Sequence, residues 1–152
     1  MIRQDQIKLL AIDPGKTGAF AWTDADGEVH DLNMPETIHE VVAILRALDP
    51  ARVVIEKVGF HRVGNNAQSS ATFARHVGEL HGVMAALHIP FIEVATKVWQ
   101  SWLGEFTKGS EYRQKKARKR EIQDEVQKRT GFDVHVDNAD AVGILLWGQA
   151  NV

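Results

Sequence analysis

Four carboxylates are the residues of this sequence whose types and positions could do chemistry. Asp13 follows the apolar run LLAI, and Glu56 follows the apolar run VVI. Asp137 and Asp140 stand three residues apart where a last helix is predicted to begin, and this spacing places them on one helix face. Each of the four acids therefore falls at the end of a predicted strand or helix.

Clustered carboxylates need neutralisation, because like charges that are brought together repel one another unless a cation or a proton intervenes. Oxygen-only ligands favour Mg²⁺, with Mn²⁺ as the alternative. Two such ions about 4 Å apart can activate a water and stabilise the leaving oxygen in phosphodiester hydrolysis. The four acids together predict a metal site suited to that reaction.

Each acid also has a purely structural explanation. The Asp13-Pro14-Gly15 triplet is ordinary turn chemistry. Acids at a helix N-terminus are favoured by capping and by the helix dipole, and for Asp137 and Asp140 alone this is the better explanation. Two strands that each end in an acid, with a helix that begins with two more, favour the metal site over these separate explanations.

Length and composition predict a single domain over residues 1–152, large enough to bury one core without disulfides. The sequence has no cysteine, which excludes a disulfide framework and a thiolate zinc site and favours an intracellular protein. We find no signal-peptide pattern and no apolar run near the roughly 20 residues of a membrane span. The expected localisation is cytoplasmic, with no membrane partner.

The charge is distributed unevenly along the chain. The net charge is -2, yet residues 108–129 hold nine of the 18 Lys and Arg residues against four acids. This basic segment on an acidic body is typical of a polyanion-binding protein, although a solvated helix is the simpler explanation when the segment is taken alone.

Apolar periodicity and turn residues predict a mixed α/β architecture. Because a helix separates strands 8–12 and 52–55, these two strands should pair in parallel through a right-handed crossover. That pairing would bring Asp13 and Glu56 to neighbouring strand ends. The predicted elements are strands 8–12, 19–22 and 28–32, helix 35–48, strand 52–55, helix 67–88, strand 90–94, helix 96–103, basic helix 113–129 and a last helix from about 137 to 147.

One predicted loop and one predicted helix have compositions that suggest contacts with a partner. Residues 57–66 form a predicted loop rich in Gly, Asn and basic groups directly after Glu56, and it contains Phe60 and Arg62. Helix 67–88 carries small residues along one side, which permits close approach of another helix, either inside the domain, which is slightly favoured, or across a dimer. The small residues are Ala71, Ala74, Gly78, Gly82 and Ala85.

Three acidic segments and one basic segment resemble the motifs of the RuvC Holliday junction resolvases, in that family's order. They are AIDPG at 11–15, VIEKV at 54–58, KREIQ at 119–123 and DNADA at 137–141. The likeness spans roughly residues 9–147. IDPG alone is a weak signal, whereas the ordered set is a strong one.

The resemblance implies a ribonuclease H-like fold with a five-stranded mixed sheet, three antiparallel strands followed by two parallel ones, flanked by helices. It also implies a homodimer that resolves four-way DNA junctions by Mg²⁺-dependent paired nicks in DNA recombination and repair. Asp13, Glu56, Asp137 and Asp140 would be the metal ligands, and Lys119 the basic residue near the scissile phosphate.

Two positions depart from the family's pattern. Phe60 lies one position later than an aromatic residue that helps to open the junction centre in bacterial members, and covering a core edge is its alternative role. Trp99 stands where bacterial members carry a basic residue, with Lys97 as a candidate substitute. These departures indicate a phage-type or otherwise divergent member. The expected DNA-binding residues are Phe60, Arg62, Lys115, Lys116, Lys119 and Arg120.

Other functions stay open at this point. A less selective metal-dependent nuclease that acts on branched or flap DNA is the main alternative. A fragment of the sugar kinase and actin ATPase superfamily would need a second lobe and a second glycine-rich phosphate loop, for which this chain has no room. A catalytically inactive DNA-binding module would be expected to lose acids from its site, and all four are present.

Overall fold

The computed structural model describes residues 6–59 and 66–152. Five strands form one sheet in the spatial order β3-β2-β1-β4-β5. Strands β1, β2 and β3 are antiparallel neighbours, and β4 and β5 continue the sheet in parallel with β1. The strands are β1 (Leu9–Asp13), β2 (Ala19–Thr23), β3 (Val29–Asn33), β4 (Arg52–Lys57) and β5 (Phe91–Ala95).

Five α-helices and one 3₁₀ turn accompany the sheet in the described residues. Thr37 caps the first helix, because its hydroxyl accepts from the backbone N–H of Glu40 and the Glu40 carboxylate accepts from the N–H of Thr37. The helices are α1 (Ile38–Leu48), α2 (Ala67–Ala86), α3 (Thr96–Leu103), α4 (Tyr112–Thr130) and α5 (Ala139–Asn151), and the 3₁₀ turn is Val136–Asn138.

The sheet separates two apolar cores. Leu10, Ile12 and Ile55 pack on one face together with residues of α1 and α2. Ala11 and Val54 pack on the other face with residues of α3, α4 and α5. Side chains alternate between the two faces along a strand, so this division fixes the face that each of the remaining strand residues occupies.

The predicted fold class is confirmed, with three antiparallel strands followed by two parallel ones. The predicted elements are all present, with ends that shift by at most two residues except in two helices. The first helix begins at Ile38, three residues later than predicted, because Thr37 is its N-cap.

The last helix is the other exception, because residues 136–138 form a 3₁₀ turn and the α-helix runs from Ala139 to Asn151. Asp137 therefore lies in the turn that precedes α5, and Asp140 lies in the first turn of α5. The predicted start of the last helix near residue 137 is therefore wrong by two residues.

The small-residue side of α2 is open to solvent in the described structure. A Cβ built on Gly78 or Gly82 would meet no described atom within 4 Å. Ala71 and Ala85 on the same side are exposed as well. The slightly favoured expectation of another helix of this domain against that side is therefore wrong for the described residues. Among those residues, no helix is long and apolar enough to cross a membrane.

Candidate active site at the carboxyl edge of the sheet

Asp13 and Glu56 lie on adjacent parallel strands at the edge of the sheet where β1 and β4 end. The register pairs Ile12 with Ile55, so the two acids are the next residues along the same pair of strands. Both acids follow the parity of Ala11 and Val54, which face α5. The parallel register therefore places two carboxylates side by side on one face, as the sequence predicted.

A tight turn holds the end of β1 in position. The N–H of Gly18 donates to the carbonyl of Gly15 at 3.0 Å, and the N–H of Met34 donates to the carbonyl of Gly18 at 2.9 Å. A Cβ on Gly18 would lie 1.9 Å from the carbonyl oxygen of Asp13, which no side chain tolerates. Only glycine fits this close approach, so the backbone at Asp13 is tied directly to the start of β2.

Glu56 is a buried acid with a buried partner. Its side chain is 7% exposed, and the indole Nε1–H of the fully buried Trp99 donates to its Oε2 at 2.6 Å. Trp99 belongs to α3, which starts directly after β5, the strand beside β4. A buried carboxylate without donors would be costly, so this hydrogen bond stabilises Glu56 where it stands.

Asp140 is the acid that α5 carries. It lies in the first turn of α5, the helix that packs across β1 and β4. Burial raises the pKa of the Asp140 carboxyl, and the positive charges of Lys119 and Arg118 act in the opposite direction. The positive charges that act on Asp140 therefore come from α4, the basic helix.

Lys119 is the cation closest to the acids of the last motif. Its Nζ lies 4.0 Å from Oδ1 of Asp137, and both side chains are about half exposed. An exposed pair at this distance is weak, so Lys119 keeps the freedom to meet another anion. Asp137 also lies beside His135, with 3.6 Å between Oδ2 and Nδ1. The structure thus brings Lys119, Asp137 and Asp140 into one neighbourhood.

Asn138 anchors the turn between these two acids. Its side chain is buried, and its Nδ2 donates to Oδ2 of Asp31 at 2.9 Å and to Oδ1 of Asn33 at 2.8 Å. Asp31 and Asn33 belong to β3, at the far side of the antiparallel part of the sheet. The amide therefore fixes the start of α5 to the strand layer.

The donor set fits a hard cation in chemistry and only partly in arrangement. Carboxylate oxygens are the ligands that Mg²⁺ prefers. Within residues 6–59 and 66–152, however, no three His, Asp or Glu side chains are grouped closely enough to hold a metal ion as they stand. The strand register sets Asp13 beside Glu56. Asp140 lies in the first turn of α5, the helix that packs across β1 and β4, and Asp137 lies in the turn before it.

A polar groove lies between α3 and α4. Its volume is about 1070 Å³, and its walls come from α3, from residues 104–109 and from α4. Lys97, Lys108 and Arg118 supply its positive charge. Arg118 also supports the wall, because its Nη1 donates to the carbonyls of Thr107 and Gly109 at 2.9 and 3.1 Å.

The other predicted cations lie on the exposed surface of α4. Lys115, Lys116 and Arg120 are exposed, and the Nζ of Lys116 lies 6.0 Å from the ring centroid of Tyr112. Ile122 and Val126 are the buried residues of this helix and attach it to the core. The loop predicted at 57–66 is described only at its ends, and Phe60 and Arg62 lie outside the described residues.

The sequence did not predict the contacts of four residues near this site. Trp99 drew attention only as a departure from a motif, and Lys97, its candidate substitute, is exposed at the groove. Asn138 lies inside the last acidic motif, where a buried amide looks like an ordinary capping residue. Asp31 and Arg118 carried no local signal, since their partners are distant in sequence.

Comparisons with known proteins support the fold. The sequence matches no protein-family model, and no curated protein matches it significantly. A structure of Thermus thermophilus RuvC in complex with a Holliday junction substrate is similar, with a TM-score of 0.63 and 14% identity over 94% of this chain and 96% of that chain. The fowlpox virus resolvase in complex with Holliday junction DNA has a TM-score of 0.56 and 14% identity over 95% of this chain and 99% of that chain.

A further structure of Thermus thermophilus RuvC has a TM-score of 0.57 and 18% identity, over 91% of this chain and 90% of that chain. At such low identity the likeness concerns the fold. The chain has the ribonuclease H-like fold of the RuvC-type resolvases, over nearly its whole length.

The Asn138 contacts predict a charge-dependent effect on stability. Asn138→Asp removes the donor and sets a carboxylate against Asp31, so the free energy of unfolding at pH 7 should fall by about 1–3 kcal/mol. Adding Asp31→Asn restores a donor and should recover most of the loss. Thermal denaturation measures both effects, with Asn151→Asp at the exposed end of α5 as the control. An Asn138→Asp variant as stable as the parent would contradict this account.

Proposed function

We propose that this protein is a metal-dependent endonuclease that cuts four-way DNA junctions. The observation that carries the proposal is the parallel register that sets Asp13 beside Glu56 on the face covered by α5. Asp140 opens that helix, and Lys119 lies beside it. Two of the similar structures are complexes with Holliday junction DNA, which is the substrate we infer here.

Each side chain has a role in this proposal. Asp13, Glu56, Asp137 and Asp140 would hold Mg²⁺, which when bound would supply a nucleophilic water and stabilise charge on the leaving oxygen. Asp13 and Glu56 form the rigid half of the site, because both strands are buried. Lys119 balances the negative charge of the phosphate that enters between α4 and the acids.

The basic surface of α4 suits a DNA backbone. Lys115, Lys116 and Arg120 project from the helix that also carries Lys119, so one face can contact successive phosphates. The acids are confined to the edge of the sheet nearby. A polyanion would therefore be attracted to α4 and would meet the metal site at one position.

The polar groove beside α3 favours a second candidate, a less selective nuclease for branched or flap DNA. A groove that holds three cations could follow a single strand as well as a junction arm. Cleavage of junction, flap and linear duplex DNA side by side in Mg²⁺ decides between the two. A strong preference for the four-way junction supports resolution, and equal rates on flaps support the second candidate.

We also propose a homodimer that joins through the exposed small-residue side of α2. Two matching nicks on opposite strands require two active sites related by a two-fold axis. Gly78 and Gly82 leave open space along this side, which allows two helices to approach closely. Each copy of the chain would then make one of the two nicks.

The carboxylates should be essential for cleavage and dispensable for folding. Asp13→Asn or Glu56→Gln removes a metal ligand and lowers local repulsion, so each should abolish cleavage while fold and junction affinity persist. Glu93→Gln is a matched control, since Glu93 lies on β5 in register with Ile55, beside His81 and Lys57. Substantial Mg²⁺-dependent turnover by both site variants would refute the assignment.

Lys119 should matter more for cleavage than for binding. Lys119→Ala removes a charge beside the acids, so the cleavage rate at saturating DNA should fall about 10-fold or more. Affinity should fall much less, and the log-log salt dependence of binding should lose about one ion. Lys128→Ala at the far end of α4 is the control. Equal losses of rate and affinity would leave Lys119 as a DNA anchor only.

The dimer should depend on the small side chains of α2. Sedimentation at micromolar concentration should show a dimer for the parent, and Gly82→Glu should shift it to the monomer because a charged side chain fills the contact. Lys128→Glu on α4 controls for the added charge. A parent that sediments as a monomer, with and without junction DNA, rules the dimer out.

A further inference from the structure

The indole of Trp99 makes the shortest polar contact to a carboxylate of the candidate site among the contacts described. Its Nε1–H donates to Oε2 of Glu56 at 2.6 Å, and the ring is fully buried. A donor to an ionised acceptor forms a stronger hydrogen bond than a neutral pair, and burial strengthens it further. Removing the donor would take this hydrogen bond from a buried carboxylate, which is costly.

The ring of Trp99 has little freedom to move. A Cβ on Gly143 would lie 2.7 Å from Cζ3 of the indole and 3.3 Å from Cδ2 of Leu103. The missing side chain at Gly143 thus makes the slot that the ring occupies. Gly143 lies three residues after Asp140 on α5, so the ring contacts the helix of Asp140 at one edge and the carboxylate of Glu56 at the other.

A neutral donor orients a carboxylate without cancelling its charge. A lysine at this position would pair with Glu56 and compete with a bound cation. Lys97, two residues earlier, does not pair with Glu56 in this way, because its side chain is exposed at the groove. The indole N–H orients the carboxylate of Glu56 and brings no positive charge of its own.

We propose that Trp99 is the positioning residue of Glu56 and holds its carboxylate in the orientation that a divalent cation requires. The inference rests on the proposed function, because it assigns Glu56 as a metal ligand. Groups that hydrogen-bond metal ligands in this way typically change metal affinity or activity 10–100-fold when mutated. Trp99 also contacts both β4, which carries Glu56, and α5, which carries Asp140.

Trp99→Phe tests the role, because it keeps an aromatic ring and removes the N–H. The half-saturating Mg²⁺ concentration for cleavage should rise about 10-fold or more, while junction affinity stays at the parent's value. Trp102→Phe is the matched control on the same helix, since Trp102 is partly exposed and contacts Arg129 instead. Its Mg²⁺ dependence should equal that of the parent.

A spectroscopic measurement without DNA tests the same contact independently of activity. Protein-bound Mn²⁺ loses the sharp six-line electron paramagnetic resonance signal of the free ion, so a titration that follows this signal gives the Mn²⁺ affinity of each variant. Trp102→Phe should keep the affinity of the parent, whereas Trp99→Phe should weaken it about 10-fold or more and Glu56→Gln should weaken it at least as much. If Trp99→Phe does not fold, benzothienylalanine at position 99 replaces it, because that side chain keeps the ring size and lacks the N–H.

The outcomes separate this inference from the proposed function. Parent-like Mg²⁺ and Mn²⁺ responses in a folded variant without the N–H would overturn the role of Trp99, even if the parent cuts junctions. If the parent cuts no DNA but binds Mn²⁺ with an affinity that Trp99→Phe weakens, the role of Trp99 is supported while the nuclease proposal fails.

Discussion

Repulsion between two carboxylates on adjacent parallel strands is the constraint on which the rest of the site depends. The register that buries Ile12 and Ile55 also sets Asp13 against Glu56 on the next row. Neither acid can leave without disrupting a strand whose apolar residues are fully buried. The surrounding structure therefore supplies a hydrogen-bond donor to Glu56 instead of separating the acids.

Three helices contribute contacts to the candidate site. Trp99 on α3 donates to Glu56, and Lys119 on α4 lies close to the acids of the last motif. α5 brings Asp140 across the sheet, and Asn138 fixes its start to β3. Each contact joins an element that carries an acid to another layer of the fold. The geometry of the site is thus as rigid as the packing between the layers.

The same packing explains how a basic helix and an acidic site can coexist. Ile122 and Val126 fasten α4 to the core on one side, and its cations face solvent on the other. Glu121 accepts from the backbone N–H of Thr107 at 3.0 Å, and hydrogen bonds from Thr107 lower the pKa of its carboxyl. This acid supports the groove wall, so its position inside the basic motif has a structural reason.

The sequence by itself determined the pairing of the first four strands, the two acids at the sheet edge and the basic helix. Local periodicity, short apolar runs that end in a charge and the right-handed crossover between parallel strands are enough to predict these features. The sequence placed Asp137 in the wrong element, since a 3₁₀ turn and the first turn of an α-helix share the same residue preferences. Only the tertiary structure decided that Trp99 bonds to Glu56, 43 residues away, and that Asn138 bonds to Asp31, 107 residues away. The open side of α2 was likewise decided by packing, because small residues permit a close contact and do not specify a partner. Contacts between distant residues depend on how the layers meet, and no local pattern of residue types encodes that.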